Sequence, residues 1–400
     1  MSSTSPDSDP VVIVDGARTP MGGFQGALAD VTAPELGARS VAAALERAGV
    51  APDDVDEVYM GCVLPAGLGQ APARQAALGA GVPESAGCTT VNKMCGSGMK
   101  AAMLAHDGLL AGSSAVTVAG GLESMTNTPY VLPKVRAGLR MGHGEVKDHM
   151  FLDGLEDAYE PGRLMGSYAE ETATHYQFTR EAQDAFAVAS LERAKRAIDA
   201  GVFATEIAPV TVKGRRGETV VEHDQQPHEA NLERIPTLRP AFAKDGTVTA
   251  ANSSSISDGA AALVMMRLSE AERRGLTPRA RVLAHASHAQ APAWFTTAPV
   301  HAMEKLLAKL GREPGDVDLY EVNEAFAVVT MAAMRELGLP HERVNVYGGA
   351  CALGHPVGAS GARILVTLMN ALERHEVDLG VASLCIGGGE ATAVAIERLH

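Results

Sequence analysis

Aromatic residues are scarce. The chain has one tryptophan, seven tyrosines and eight phenylalanines among 400 residues, which argues against an aromatic-lined binding groove. Positive charge is also in deficit: 34 Lys and Arg against 48 Asp and Glu leave a net charge of −14. A chain of that balance lacks the cationic face that nucleic acid needs. An anionic membrane surface would repel it too. No apolar run approaches the length of about 18 residues that a bilayer-spanning helix requires. No Cys-x-x-Cys pair occurs, and the cysteines Cys62, Cys88, Cys95, Cys351 and Cys385 are odd in number. Neither a disulfide framework nor a zinc knuckle is indicated, so no metal is expected. Reduced thiols in a cytoplasmic setting are expected instead. The opening residues MSSTSPDSDP carry no basic n-region, no apolar stretch and no arginine, so they read as neither a signal nor a transit peptide. Residues 1–10 are expected to form a disordered tail.

What the chain does have is glycine, 42 residues of it, and a hydrophobic fraction of 46%. At roughly 100–200 residues per domain, its length calls for two or three domains. It also repeats itself. LERAGVAPDDVD at 45–56 returns as LAKLGREPGDVD at 307–318, with Leu45/Leu307, Gly49/Gly311, Pro52/Pro314 and Asp56/Asp318 in register. Gly-Ser-Gly-Met-Lys at 96–100 returns as Ala-Ser-Gly-Ala-Arg at 359–363, at nearly the same spacing. Each copy then runs through an apolar helix into a short strand ending in glycines. Two blocks in one order favour a duplicated domain.

Apolar strands are predicted at 11–15, 57–62, 115–119, 261–267, 282–286, 318–322 and 380–386. Helices are predicted at 33–48, 98–110, 300–310, 326–337 and 360–373. Such alternation implies α/β layers around largely buried sheets. Between the copies, a proline-rich stretch holds one long predicted helix at 179–200. It reads as an insertion, or as a loop domain laid over the first half. The division is then 11–124 with 250–275 for the first half, 125–249 for the inserted loop domain, and 276–400 for the second half. Lys134, Arg136, Arg140 and Lys147 form a local basic excess that an anionic ligand would need; a solvated surface or a subunit contact explains it equally well.

Chemistry is concentrated near glycines. Cys95 lies just ahead of a predicted helix, where the dipole and free N–H groups favour a thiolate. An inert buried cysteine is the alternative. Gly96-x-Gly98-x-x-Ala101 fits a dinucleotide fingerprint, but no apolar strand leads directly into it, so a nucleotide-dependent dehydrogenase is a weak reading. His355 sits in a loop too rich in glycine to be core, and an imidazole is the natural base for a thiol. A hydrogen-bonded or capping loop histidine is the alternative. Cys385 ends a predicted buried strand and by itself would be core. The glycines after it offer bare N–H groups for an oxyanion hole. Asn323 stands at a strand-to-helix junction, where helix N-capping is the stronger reading in isolation.

Six segments, taken in order, resemble the thiolase family of the acetyl-CoA acetyltransferase type. They are Asp15-Gly-Ala-Arg-Thr-Pro20, Asn92-Lys-Met-Cys-Gly-Ser-Gly98, Gly120-Gly-Leu-Glu-Ser-Met125, Asn323-Glu-Ala-Phe326, Gly354-His-Pro-Val-Gly-Ala-Ser-Gly-Ala-Arg363 and Cys385-Ile-Gly-Gly-Gly389. The resemblance covers essentially the whole chain after the tail. It implies a duplicated α/β core in α-β-α-β-α layers with an inserted loop domain. It implies reversible conversion of two acetyl-CoA into acetoacetyl-CoA and CoA, within fatty-acid metabolism, with no cofactor beyond the coenzyme A thioesters themselves. By position, Cys95 matches the acylated nucleophile and His355 the base that takes its proton. Cys385 matches the second acid/base, and Asn323 the residue that holds a water. The N–H groups of Cys95 and Gly387 match an oxyanion hole. Ser254 matches a pantetheine neighbour, and Phe326 and Met165 match the acyl pocket. A homo-oligomer, dimer or tetramer, is also implied.

There are departures. Leu164-Met165-Gly166 stands where many short-chain members have His-Met-Gly. Glu390 follows the glycines, and Tyr347 and Cys351 flank the His355 loop. These leave open a 3-ketoacyl-CoA thiolase acting on longer chains. A scaffold that kept the fold and lost the chemistry would not need all four of Cys95, His355, Cys385 and Asn323.

Overall fold

The first strand, β1 (Val11–Arg18), is buried along almost its whole length, as a strand covered on both faces must be. The computed structural model describes residues 9–214 and 217–400. Most of the expected tail, residues 1–8, lies outside the described residues. Asp9 and Pro10 are held in place, contrary to expectation: Asp9 accepts from Ser269, and the Pro10 carbonyl accepts from Leu268 N–H.

The first half continues through α1 (Ala33–Ala48), β2 (Glu57–Gly61), α2 (Pro72–Gly79), β3 (Gly87–Val91), α3 (Ser97–Ala111) and β4 (Val116–Ser124). A reciprocal capping box between Thr32 and Glu35 starts α1, and left-handed Gly49 ends it. The intervening segment holds α4 (Met165–Tyr176) and α5 (Arg180–Asp199), the latter capped by the Thr179 side chain. Then β5 (Ser257–Arg267) closes the first half. The second half runs β6 (Ala280–Ala289), α6 (Ala298–Leu310), β7 (Leu319–Val322), α7 (Ala327–Leu337), α8 (Ser360–His375), β8 (Leu379–Ile386) and β9 (Glu390–Arg398). Strands β3 and β9 and helices α2 and α4 were not anticipated from the sequence.

The duplication is plain in the strand order. The first sheet runs β3-β2-β4-β5-β1, with β2 parallel to both β3 and β4 and the later pairs antiparallel. The second runs β7-β8-β9-β6, with one parallel pair where the first has two, and again antiparallel pairs after it. A single parallel bridge from Tyr320 to Val344 stands where β3 stands in the first copy. The sheets join at one seam, Val12 opposite Arg281 and Ile13 opposite Ala280. Helices α3 and α8 pack together between the sheets, while α1 with α2 and α6 cover the outer faces. These are the five layers.

The repeated Ser-Gly pairs meet at the centre of this stack. A Cβ on Gly98 would lie 2.9 Å from Ala362 N, and one on Gly361 only 2.3 Å from Met99 N. Only glycine lets the two helices approach so closely. Helix contact, not a nucleotide, therefore accounts for Gly98 in the Gly96-x-Gly98 motif.

The segment between the halves touches both, rather than lying over the first alone. Helices α4 and α5 pack against α7 of the second half. Ser190 of α5 donates to Glu324, and Arg193 donates to the Val344 carbonyl. On the other side, the buried Arg18 guanidinium pairs with Glu206 at 2.5 Å and Asp224 at 2.7 Å. Removing one partner of such a buried pair would cost about 3–5 kcal/mol.

Candidate active site

Three glycine-rich turns bring the site together. Cys95 lies between β3 and α3, one residue before the helix cap. Met94 before it takes a left-handed backbone, φ 47°. Gly96 after it packs onto Ile386, where a Cβ would fall 2.3 Å from the isoleucine Cδ1. This contact sets the end of β8 beside the thiol. As a result, the backbone N–H groups of Gly387 and of Cys95 itself are directed at the Cys95 sulfur. Lys93 and Glu390 form an ion pair that ties the same two turns together, which places the unusual Glu390.

His355 occupies the loop before α8. Its backbone N–H donates to Ser257 Oγ at 3.2 Å. The preceding Gly354, with φ 104°, approaches the same hydroxyl so closely that a Cβ would lie 2.2 Å from it. The imidazole Nδ1 is 2.5 Å from Ser360 Oγ, and that hydroxyl also donates to the Pro356 carbonyl at 3.0 Å. Ser360 has one proton, so toward His355 it accepts, and Nδ1 carries the ring N–H. Nε2 is therefore the basic nitrogen. It is buried without a partner, and so is Asn323 Oδ1. Asn323 Nδ2 lies 3.5 Å from His355 Nδ1. Asn323 is not a helix cap: α7 begins at Ala327, and its N-cap is Phe326.

A cavity of about 360 Å³ opens over these groups. Cys95, His355 and Gly387 line it, as do Ser254, Met165 and Phe326. The remaining wall is mostly apolar, including Phe151, Leu164, Phe242 and Phe295. Cys385 is fully buried behind the cavity in one apolar cluster with Met165 and Phe326. It is close enough to Cys95 for a Cys95 thiolate to oppose its ionisation. All eight residues singled out in the sequence thus converge on one place.

Electrostatics modify one expectation. Burial pushes the Cys95 thiol up to about 11, against the two N–H groups that favour the thiolate and with a further rise from Glu123. Desolvation outweighs the helix start here. Burial also drives Cys385 well above the ordinary thiol range, with the neighbouring Cys95 adding to the effect. His355 goes the other way, down to about 3, through burial and then the Arg363 cation. Both the thiol and the imidazole are therefore neutral at pH 7. The pair is a hydrogen-donor nucleophile and a free base, not a preformed ion pair.

The basic excess lies elsewhere. Lys134, Arg136, Arg140 and Lys147 are exposed and line neither this cavity nor the neighbouring one. That neighbour, about 520 Å³, shares Ala250 with the first and has Arg234 as its basic residue. Tyr347 stacks on His375, and Cys351 donates its thiol to the Glu324 carbonyl, both outside the reacting groups.

Glu123 had no assigned role in the sequence. Fully buried, it accepts N–H bonds from Val63, Leu64 and Gly358 and a contact from the Cys62 thiol. Burial lifts it to about 7 despite those donors. Its only sequence signal was its place in the Gly120–Met125 block.

Residues 11–269 match the thiolase N-terminal domain family and residues 276–398 the thiolase C-terminal domain family. The chain belongs to the thiolase family. It is 51% identical, over the full length of both chains, to acetyl-CoA acetyltransferase 2 of Arabidopsis thaliana. It is 49% identical to acetyl-CoA acetyltransferase of Cupriavidus necator, across 97% of this chain and 99% of that one. Among solved structures, acetyl-CoA acetyltransferase of Bacillus anthracis superimposes with a TM-score of 0.95 at 42% identity, covering 98% and 99% of the two chains. The Acat5 thiolase of Ascaris suum in complex with coenzyme A superimposes with a TM-score of 0.92 at 41% identity, covering 98% and 100%.

Proposed function

We propose that the protein is an acetyl-CoA C-acetyltransferase that interconverts two acetyl-CoA with acetoacetyl-CoA and free CoA. The observation that carries this reading is the shared cavity, where the Cys95 sulfur meets two N–H donors and His355 presents an unpartnered Nε2. His355 Nε2 takes the Cys95 proton as the sulfur attacks the thioester carbonyl. The N–H groups of Cys95 and Gly387 hold the oxyanion. Collapse expels the CoA sulfur, which takes the proton of the Cys385 thiol, and leaves acetyl-Cys95, protonated His355 and a Cys385 thiolate. In the second half-reaction, Cys385 removes a proton from the methyl carbon of a second acetyl-CoA. A buried thiolate with a raised pKa is a stronger base, as a weakly acidic carbon requires. Asn323, through a bound water, and His355 steady the enolate oxygen. The enolate carbon attacks acetyl-Cys95, the Cys95 sulfur leaves and takes back the proton held by His355, and acetoacetyl-CoA is formed. In this reading the side chains, two backbone N–H groups and a water suffice, with no cofactor beyond the coenzyme A thioesters.

The test is mass spectrometry of the full chain mixed with acetyl-CoA. A mass gain of one acetyl group, located on Cys95 and absent in Cys95→Ser, is expected. Failure to acylate would return the chain to a scaffold role. A substrate-length series separates this reading from a 3-ketoacyl-CoA thiolase acting on longer chains in fatty-acid degradation. The short-chain reading expects acetoacetyl-CoA to be cleaved with the highest kcat/KM.

The protein would act as a homo-oligomer, up to a tetramer. The exposed arm that carries Tyr130, Leu132, Val135, Leu139, Met141 and Val146 offers apolar surface for a second copy. Light scattering on the full chain and on a variant with Leu139 and Met141 changed to serine would test it. Cys62, Cys88, Cys95, Cys351 and Cys385 are all unpaired, which suits a reducing compartment such as the cytoplasm. No helix among the described residues is long and apolar enough to cross a membrane.

A further inference from the structure

A cluster outside the active site brings together three side chains that favour metal ions. His106 and Asp107 lie near the C-terminal end of α3, and His285 lies on β6 of the other half. Asp107 Oδ1 is 3.3 Å from His106 Nδ1 and 2.9 Å from His285 Nε2. One ligand atom from each residue falls within 4.8 Å of the other two. The two imidazole rings meet edge-on, with centroids 5.0 Å apart. Their side chains are 12% and 18% exposed, whereas Asp107 is 54% exposed, so the cluster is walled by rings and opens to water on the carboxylate side.

A tetrahedral zinc ion binds nitrogen and oxygen at about 2.0–2.2 Å, which sets its ligand atoms roughly 3.3–3.5 Å apart. Two of the three spacings are already close to that. Two imidazoles with one carboxylate suit zinc and its transition-metal neighbours, not calcium or magnesium, which take oxygen. The nearby cations are otherwise engaged: Arg267 pairs with Asp9 at 3.3 Å, and Lys309 donates to the His285 carbonyl at 2.8 Å.

We propose that His106, Asp107 and His285 form a divalent transition-metal site suited to zinc, with water as the fourth ligand. The ion would clip α3 of the first half to β6 of the second. At 1.5 Å per residue, His106 lies about 14 Å along α3 from the end that follows Cys95. The site therefore stands apart from the reacting thiols.

The experiment uses the tag-free full chain, stripped with chelator and titrated with Zn²⁺ or Co²⁺ alone. One ion per chain is expected. Bound Co²⁺ should show tetrahedral visible bands without thiolate-to-cobalt charge transfer. Asp107→Asn and His285→Gln should each weaken binding by at least about tenfold. The melting temperature should rise with Zn²⁺ in the wild type and not in those variants. Three outcomes would overturn the proposal: no stoichiometric binding, a thiolate charge-transfer band that places the metal on cysteine, or undiminished affinity in both variants. The cobalt spectrum of the unmutated protein decides the matter even if a variant fails to fold.

Discussion

Glu123 Oε2 accepts the backbone N–H of Gly358 at 2.9 Å. The same carboxylate holds the N–H groups of Val63 and Leu64. One buried side chain on β4 thus fixes the loop that carries His355 to the wall beside Cys95. A glutamine has one acceptor oxygen in place of two and brings two donors toward three N–H groups. Glu123→Gln is expected to lose about 1–3 kcal/mol of stability. It should also lower kcat more than it raises KM, because His355 is displaced while the cavity wall remains. Urea unfolding and steady-state kinetics on one preparation check both. An unchanged kcat would make Glu123 purely structural.

The raised pKa of Glu123 has a sign that can be measured. The folded chain keeps this proton up to about pH 7, whereas the unfolded chain releases it in the ordinary carboxylate range. Its contribution to stability is fully present below that range and is lost as pH rises through about 7. Denaturant midpoints for the wild type should carry this falling component between pH 5 and about 8, and Glu123→Gln should lack it.

With Cys95 pushed up to about 11 and His355 down to about 3, the unliganded site holds little thiolate at neutral pH. Inactivation by iodoacetamide follows the thiolate fraction. The rate should climb roughly tenfold per pH unit from pH 7 to 9, with no plateau. A plateau below pH 8 would show that the N–H groups of Gly387 and Cys95 prevail over burial.

The parts of this molecule that were legible in the sequence are those where glycine has a steric reason to be there. Gly98 and Gly361 announced the duplication because the two central helices touch through them. Gly96, Gly354 and Gly387 marked the turns that deliver Cys95, His355 and the oxyanion N–H. Strand β9 was hidden because EATAVAIER is half alanine and glutamate, residues with little preference for strands. Helix α4 was hidden because no side chain caps it. Asn323 looked like a cap because only the fold shows that its neighbour is His355. Glu123 and the His106–Asp107–His285 cluster depend on contacts between distant segments, which local pattern does not encode. The neutral thiol of Cys95 is illegible for the same reason: a helix start is visible in sequence, and desolvation is not.

The two thiols should separate genetically. Cys95→Ser is expected to abolish the acyl-enzyme and both directions of the reaction. Cys385→Ala leaves Cys95, His355 and Gly387 in place, and protonated His355 can itself supply the proton to the departing CoA sulfur, so acetylation should persist while condensation falls by about 10²–10⁴-fold. Acetyl transfer from acetyl-CoA to Cys95, followed by mass spectrometry, and acetoacetyl-CoA formation are the paired readouts. Loss of both activities in Cys385→Ala would mean that this buried thiol also shapes the acylation site.

The acyl wall offers a graded test. A Cβ on Gly166 would lie 2.3–2.4 Å from three atoms of the Phe242 ring. That ring lines the cavity and stands edge-on to Phe326, with centroids 6.0 Å apart. In Gly166→Ala the ring must turn, and the cavity is where space exists. Alanine in a helix gains about 1 kcal/mol over glycine. Overpacking costs about 1–3 kcal/mol, so net stability should change little or fall slightly. The cavity should narrow, and longer acyl chains should lose kcat/KM before acetoacetyl-CoA does. Kinetics across the substrate series, beside a melting curve, separate a narrowed pocket from a damaged fold. Equal losses at every chain length would place Phe242 outside the acyl path.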